Sequence, residues 1–174
     1  MLESSEQLNN QGVRLAFKGE YTEAIACLKR AITVEKENYL LWFNLALTYR
    51  DAGNFDAAKT SMEYALRLNR SNEEIIEALA NLCISMGLHD DAMFYCITGL
   101  EVNDMNPHFW NTAGVIHFQI EEYAEAADFF EHAVSLSPHY YDALFNLKDT
   151  YEQLGNHAGI EECSRRLESF KGNN

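Results

Sequence analysis

The chain has 174 residues, of which 27 are acidic and 13 are basic, so its formal net charge is −14. This charge argues against nucleic acids and anionic membrane surfaces as partners, because lysine and arginine supply most of the affinity for both. It suits a cationic partner, or it serves only to keep the protein soluble.

The local sequence also argues against membrane-spanning and secreted proteins. No uninterrupted apolar stretch approaches the ~18 residues that a transmembrane helix needs, so we expect no membrane insertion. The first residues, Met1 to Ser4, lack the basic and apolar regions of a signal peptide. We therefore expect a cytoplasmic protein.

After four leading residues, the chain divides into five similar segments of equal length. The segments are residues 5–38, 39–72, 73–106, 107–140 and 141–174. Small residues recur at the eighth and twentieth positions of these segments. They are Gly12, Ala46, Ala80, Gly114, Ala24, Ala58, Ala92 and Ala126. A fixed period of this length is typical of a stacked repeat protein, in which each unit contacts only its neighbours.

The first segment opens on a predicted helix start, because Ser4 and Gln7 have the spacing of a capping box. The second segment shows that each repeat holds two helices, since two apolar stripes have the spacing of a helix face. Gly53 between the stripes favours the left-handed conformation that ends a helix. The stripes consist of Trp42, Leu45, Ala46 and Tyr49, then Ala58, Met62 and Ala65.

The last three segments depart from this pattern. Gly99 lies inside a predicted helix, where glycine costs roughly 1 kcal/mol against alanine, so we expect the third segment to be the least stable. Glu121 replaces the turn glycine of the other segments, which predicts a slightly different turn. The second helix of the fifth segment has one narrow apolar stripe, as a terminal cap requires. This stripe consists of Ile160, Cys163, Leu167 and Phe170.

The block from Trp110 to Pro138, with Gly114, Tyr123 and Ala126 between them, resembles the motif of the tetratricopeptide repeat family. The resemblance covers residues 5–174 as five tandem repeats, the last acting as a cap. It implies an all-α fold, a right-handed superhelical solenoid of antiparallel helix pairs, forming a single domain over residues 1–174. The alternative is an unrelated helical bundle with accidental self-similarity.

The resemblance also implies a non-enzymatic protein–protein interaction scaffold. In this family the first helices line a concave groove that holds an extended or helical segment of a partner protein, and groove asparagines often contact its backbone. The candidate groove residues are Asn9, Asn10, Phe17, Phe43, Asn44, Leu47, Asn81, Asn111, Phe118, Phe145 and Asn146. The alternative is that the asparagines are simply solvated.

The charges at the groove positions indicate the chemistry of the partner. Seven acidic residues face one basic residue, Arg50, which favours an apolar and basic segment over an acidic one. The acidic residues are Glu6, Asp51, Glu74, Glu77, Asp142, Asp149 and Glu152. Some family members bind a terminal carboxylate with lysine, arginine and asparagine at five groove positions. Of the corresponding residues only Asn44 agrees, so we do not expect a carboxylate clamp.

No catalytic, cofactor or metal site is predicted. The sequence lacks GxGxxG, GxxxxGK[ST], HExxH and GxSxG motifs. Its four cysteines include no CxxC pair, so we expect no zinc site. Cys83 and Cys96 are expected to fill core space, with a disulfide between them as the alternative. The histidines, including His89 and His117, mostly stand where another repeat has an aromatic residue.

The competing hypothesis is a self-assembling homo-oligomeric scaffold. A solenoid whose ends are not fully polar can stack end to end, and its groove can accept another copy. The face around Leu2 and Leu8 is the candidate contact, because no separate capping helix precedes the first repeat.

Overall fold

The computed structural model of the chain describes residues 3–171. Within that range the chain is all-helical, with ten α-helices and no strands. The helices are α1 (Ser5–Phe17), α2 (Tyr21–Val34), α3 (Tyr39–Asp51), α4 (Phe55–Leu68), α5 (Glu73–Ser85), α6 (His89–Val102), α7 (Pro107–Gln119), α8 (Tyr123–Leu136), α9 (Tyr141–Leu154) and α10 (His157–Lys171). Every odd-numbered helix begins at the first position of a predicted repeat, and every even-numbered helix at the seventeenth. The period therefore predicts the pairing of helices correctly.

Several helices begin where a polar side chain caps them. Ser4 and Gln7 form the predicted capping box, in which Ser4 Oγ accepts from the Gln7 N–H at 3.1 Å and Gln7 Oε1 accepts from the Ser4 N–H at 3.0 Å. Asn38, Asn72 and Asn106, each the last residue of a repeat, cap α3, α5 and α7 in a similar way. These side chains satisfy N–H groups that have no partner within the helix.

The turn within each pair depends on one residue with a positive φ angle. Four of these residues are glycines, and the fifth is Glu121, whose φ of 64° falls close to the 66° of Gly155. The N–H of Glu121 donates to the Phe118 carbonyl, as the N–H of Gly53 does to the Arg50 carbonyl. The turn at Glu121 keeps the positive φ and the hydrogen bond of the glycine turns and differs only slightly, as expected, at Ile120, whose φ of −96° and ψ of 15° depart from those of Ala52 and Met86. The surrounding structure holds a glutamate in a conformation that favours glycine.

The chain divides into two compact units, Met1–Met86 and Gly87–Asn174. In the first unit one core cluster consists of residues from α1, α2 and α3: Leu8, Leu28, Ala31, Ile32, Leu41 and Leu45. Gly12 lets α1 and α2 approach closely, since a Cβ there would lie 2.7 Å from Leu28 Cγ. This contact explains the small residue at the eighth position of the repeat. The prediction of a single domain over both units stays a prediction.

The second unit is packed in the same way around larger side chains. Phe130 is 1% exposed, and a Cβ on Gly114 would lie 2.6 Å from its ring. Gly99, a weak position by helix propensity, leaves space for the buried ring of Phe109. Whether the third repeat is the least stable stays a prediction.

Helix α10 covers the end of this second core with one face. Cys163 and Leu167 are buried against a cluster that includes Leu144 and Leu147, and Phe170 packs beside them. Much of the rest of the helix is charged and exposed, as the narrow apolar stripe predicts. All four cysteines are buried, and Cys83 and Cys96 fill core space as expected.

Candidate peptide-binding site

Two predicted groove asparagines of the first unit hydrogen-bond to each other. Asn44 Nδ2 on α3 donates to Asn9 Oδ1 on α1 at 2.8 Å, and this contact is partly buried. The Thr48 hydroxyl, 3% exposed, donates to the backbone carbonyl of Asn44 at 2.8 Å. The bond to Asn9 orients the Asn44 side chain, while the threonine bond is made to the helix backbone.

The second unit repeats this arrangement. Asn146 Nδ2 on α9 donates to Asn111 Oδ1 on α7 at 3.0 Å. The Thr150 hydroxyl, fully buried, donates to the Asn146 carbonyl at 2.7 Å. Each unit therefore holds one amide pair, which joins the fifth position of one repeat to the sixth position of the next.

The local sequences explain why the two pairs are alike. Residues 43–49 read FNLALTY and residues 145–151 read FNLKDTY, so both asparagines are followed four positions later by the supporting threonine. Asn9 and Asn111 both precede a glycine and a valine in the pattern NxxGV. Taken one at a time, the asparagines do not reveal the pairs. The joint recurrence of these two patterns, three repeats further along the chain, is the signal that would have found them.

Each amide pair leaves polar atoms directed to solvent. The hydrogen bond uses one N–H of Asn44 and the oxygen of Asn9, so the Asn44 oxygen and the Asn9 amide group keep hydrogen-bonding capacity. No buried side-chain nitrogen or oxygen of the described residues lacks a partner, so these atoms reach solvent. Rotating both amides by half a turn exchanges the roles but again leaves a donor and an acceptor. The pair therefore offers one further donor and one further acceptor.

A small cavity lies beside the amide pair of the first unit. Its volume is about 260 Å³, and its lining is mostly apolar. The lining residues are Val13, Ala16, Phe17, Asn44, Leu47, Thr48, Arg50 and Asp51. Arg50 and Asp51 form an ion pair at 2.8 Å on one side of it. Phe17 is 89% exposed, an unusual exposure for a large apolar side chain.

The second unit has an equivalent cavity beside its own amide pair. It measures about 250 Å³ and is lined by Val115, Phe118, Gln119, Phe130, Asn146 and Asp149. Asp149 stands where the first cavity has Leu47, three positions after the paired asparagine. Burial, and then repulsion from Glu152, raise the pKa of the Asp149 carboxyl, while Lys148 opposes them. This carboxylate accepts no hydrogen bond from any residue between 3 and 171.

Two larger cavities lie away from the amide pairs. One of about 430 Å³ is lined by residues of α8, α9 and α10, and there the Tyr151 hydroxyl donates to Glu131 at 2.6 Å. Another of about 580 Å³ lies near the start of α6, where its lining includes His89 and Asp90. Neither lining includes any of the predicted groove residues.

The structure brings most of the predicted site residues together, but not all. Phe17, Leu47 and the amide pair meet in the first unit. Phe118 and Asn146 meet in the second unit, whereas Asn111, predicted as an open groove residue, is only 9% exposed and does not line the cavity. Asn10 and Asn81 are exposed but line neither cavity.

Two of the predicted groove phenylalanines, Phe43 and Phe145, differ in their exposure to solvent. Phe43 is 6% exposed, so it is a core residue rather than an open groove anchor. The amide pairs show that position five of one repeat lies beside position six of the next, and Phe43 has a following repeat to cover it. Phe145 has no such repeat among residues 3–171. It is 46% exposed and stacks on Tyr141 with ring centroids 6.5 Å apart.

The environments of His117 and Cys163 are those of residues with a structural role. His117 Nδ1 lies 2.7 Å from Glu122 Oε2, and its ring stacks on Phe129. Burial raises the pKa of the Cys163 thiol, which lowers its reactivity. No group of three or more histidine, cysteine or acidic side chains in the described range could hold a metal ion. None of the helices described is long and apolar enough to cross a bilayer.

Antiparallel helix pairs in tandem, with polar and apolar side chains presented by the first helices, define a helical repeat protein. The chain belongs to the tetratricopeptide repeat family: a TPR repeat model matches residues 14–53, and two tetratricopeptide repeat models match residues 49–114 and 107–140. Such a fold supports a role as a protein–protein interaction scaffold.

Relatives of known structure share the fold. MamA is 19% identical, with a TM-score of 0.82 over 94% of this chain and 97% of that chain. YrrB, described as a TPR protein with an unusual peptide-binding site, is 18% identical, with a TM-score of 0.72 over 97% of this chain and 87% of that chain. Anaphase-promoting complex subunit 3 of Schizosaccharomyces pombe is 24% identical over 121 residues, or 70% of this chain and 18% of that protein. The chain spans 18% to 32% of the curated relatives it matches.

Proposed function

We propose that this protein is a non-enzymatic scaffold that binds a peptide segment of a partner protein on the surface of its first helices. The observation that carries this proposal is the pair of equivalent amide contacts, Asn9 with Asn44 and Asn111 with Asn146. Each presents a donor and an acceptor next to a cavity that fits one side chain.

An extended segment suits these pairs best. Its backbone N–H and C=O groups have no internal partners, so an asparagine pair replaces the water that they lose on binding. Each hydrogen bond contributes on the order of 1 kcal/mol, because protein–water bonds are exchanged for it. The cavity beside each pair supplies the apolar contact that the hydrogen bonds lack.

The charge of this surface favours an apolar and basic segment. Asp51 is neutralised by Arg50, but Asp149 has no such partner. The net charge of −14 repels acidic segments and nucleic acids at long range. A cytoplasmic location is part of the proposal.

Capture of partners from a lysate of the source cells tests the function. We expect the double variant Asn44→Ala, Asn146→Ala to lose a specific partner that the unmodified chain retains. The matched control is the double variant Asn10→Ala, Asn81→Ala, which removes two exposed asparagines outside the cavities and is expected to retain that partner. Equal capture by both variants would contradict the proposal, provided that circular dichroism shows both to be folded.

Self-assembly is less well supported. Leu8 is 2% exposed and belongs to the core, so it is not a contact surface, and Leu2 lies outside the described residues. The exposed neighbours of Leu8 on α1 include Gln7 and Gln11, whose polar side chains do not favour an apolar interface. Light scattering over a range of concentrations measures this alternative directly.

A further inference from the structure

The two cavities share a valine and the paired asparagine, but they differ at other equivalent positions, among which only one replaces an apolar residue by a charged one. Leu47 lines the first and Asp149 the second, each three positions after the paired asparagine. The amide pairs beside the two cavities are equivalent, so this difference places a carboxylate next to one pair and an apolar side chain next to the other.

The surroundings of Asp149 leave its charge poorly compensated. The cavity wall around it includes Val115, Phe118 and the buried Phe130. Lys148, the adjacent cation, is bound by Glu152 at 2.6 Å. A partly buried carboxylate on an apolar wall without a hydrogen bond is costly, and a cationic ligand would remove that cost.

We propose that the cavity of the second unit binds one lysine or arginine side chain of the partner segment, with Asp149 as the residue that determines this specificity. The ammonium or guanidinium group lies on the carboxylate, and the methylene groups lie against Val115 and Phe118. The ring of Phe118 adds a cation–π contribution. The cavity of the first unit, with Leu47, takes an apolar side chain.

This inference rests on the proposed function, and it explains a preference for basic segments by a single residue. An apolar side chain in the second cavity would leave the Asp149 charge without a partner, and an acidic one would be repelled. Discrimination therefore arises from the cost of the wrong side chain as much as from attraction to the right one.

Selection from a displayed library of random peptides tests the inference. The baits are the unmodified chain, Asp149→Asn, and the control Asp128→Asn, which removes the same charge from an exposed position of α8 outside the predicted groove positions. We expect the unmodified chain and the control to enrich peptides that contain both an apolar residue and a lysine or arginine. Asp149→Asn is expected to enrich the apolar residue alone.

The outcomes separate the two proposals. Enriched peptides that depend on Asn44 and Asn146, but keep their lysine or arginine with Asp149→Asn, would overturn the specificity and leave the binding function intact. A lack of any enriched peptide, or enrichment that does not depend on those asparagines, would overturn the binding function and the inference with it.

Affinity for one enriched peptide measures the size of the effect. We expect Asp149→Asn to raise its Kd about tenfold, between the effects of exposed and buried charge pairs. Replacing the peptide's lysine by norleucine should remove most of the difference between the two proteins. If the losses in binding free energy from Asp149→Asn and from the norleucine replacement are additive, the lysine does not contact Asp149.

Discussion

Helical glycines of this protein lie opposite large side chains. Gly12 faces Leu28, Gly114 faces Phe130, and Gly99 faces Phe109, so each glycine is matched to the volume of its neighbour. Where another repeat has alanine at the position of Gly99, the residue at the position of Phe109 is smaller than phenylalanine, as with Ala65 and Ile75. Such matching follows from the close packing of protein interiors.

Gly99→Ala is therefore expected to lower the free energy of unfolding by about 1–2 kcal/mol, because overpacking outweighs the better helix propensity of alanine. Urea denaturation measures the change. The double variant Gly99→Ala, Phe109→Ile, which copies the pairing of Ala65 with Ile75, should recover part of the loss. A single variant as stable as the unmodified chain would disprove the packing account.

Asp149 makes a second prediction at the residue scale. Its folded pKa is raised above the ordinary 3.8, so ionisation destabilises the folded state. The stability of the unmodified chain relative to Asp149→Asn should therefore fall as pH rises from the unfolded pKa through the folded pKa. At neutral pH we expect the variant to be more stable by only about a few tenths of a kcal/mol, because solvent screens this partly exposed carboxylate.

Denaturation of both proteins across the acidic range checks this sign. Below the unfolded pKa, both states of the unmodified chain hold the proton, and the difference should vanish. A variant that is less stable at neutral pH would mean that the carboxylate has a favourable partner in the folded chain.

The repeating unit of this fold is a pair of helices, and the sequence predicts these pairs well. The repeat period locates every helix start, because small residues at fixed positions bring paired helices close together. The amide pairs were not predicted, since Asn9 and Asn44 are 35 residues apart and only helix packing brings them together. The burial of Phe43 was not foreseen either, because burial depends on packing that the spacing within one helix does not report.

The turn between α7 and α8 gives the prediction at this scale. Glu121 adopts a φ of 64°, which costs a non-glycine residue roughly 1–2 kcal/mol. Glu121→Gly should raise the free energy of unfolding by about 0.5–1 kcal/mol, after the extra freedom of glycine in the unfolded chain is subtracted. Thermal denaturation measures it, with Glu125→Gly inside α8 as a destabilising control. A loss of stability in Glu121→Gly would show that the glutamate side chain stabilises the turn.

At the scale of the whole molecule, charge and repetition act together. Twenty-seven acidic residues against 13 basic ones set a negative field, while each unit carries one amide pair and one cavity beside it. Affinity for a basic segment should fall as salt rises, because exposed charges are screened beyond about 8 Å at physiological ionic strength. Titrations at low and high salt measure this. An affinity that does not change with salt would contradict an electrostatic contribution to binding.

The most direct test of the central claim observes the asparagine side chains themselves. Nuclear magnetic resonance of the side-chain amides of Asn9, Asn44, Asn111 and Asn146, during titration with a captured peptide, reports their hydrogen bonding. We predict that at least one amide pair shifts in proportion to occupancy, while the side chains of Asn10 and Asn81 do not. A peptide that binds and leaves both amide pairs unshifted would contradict the claim that they hold the partner's backbone.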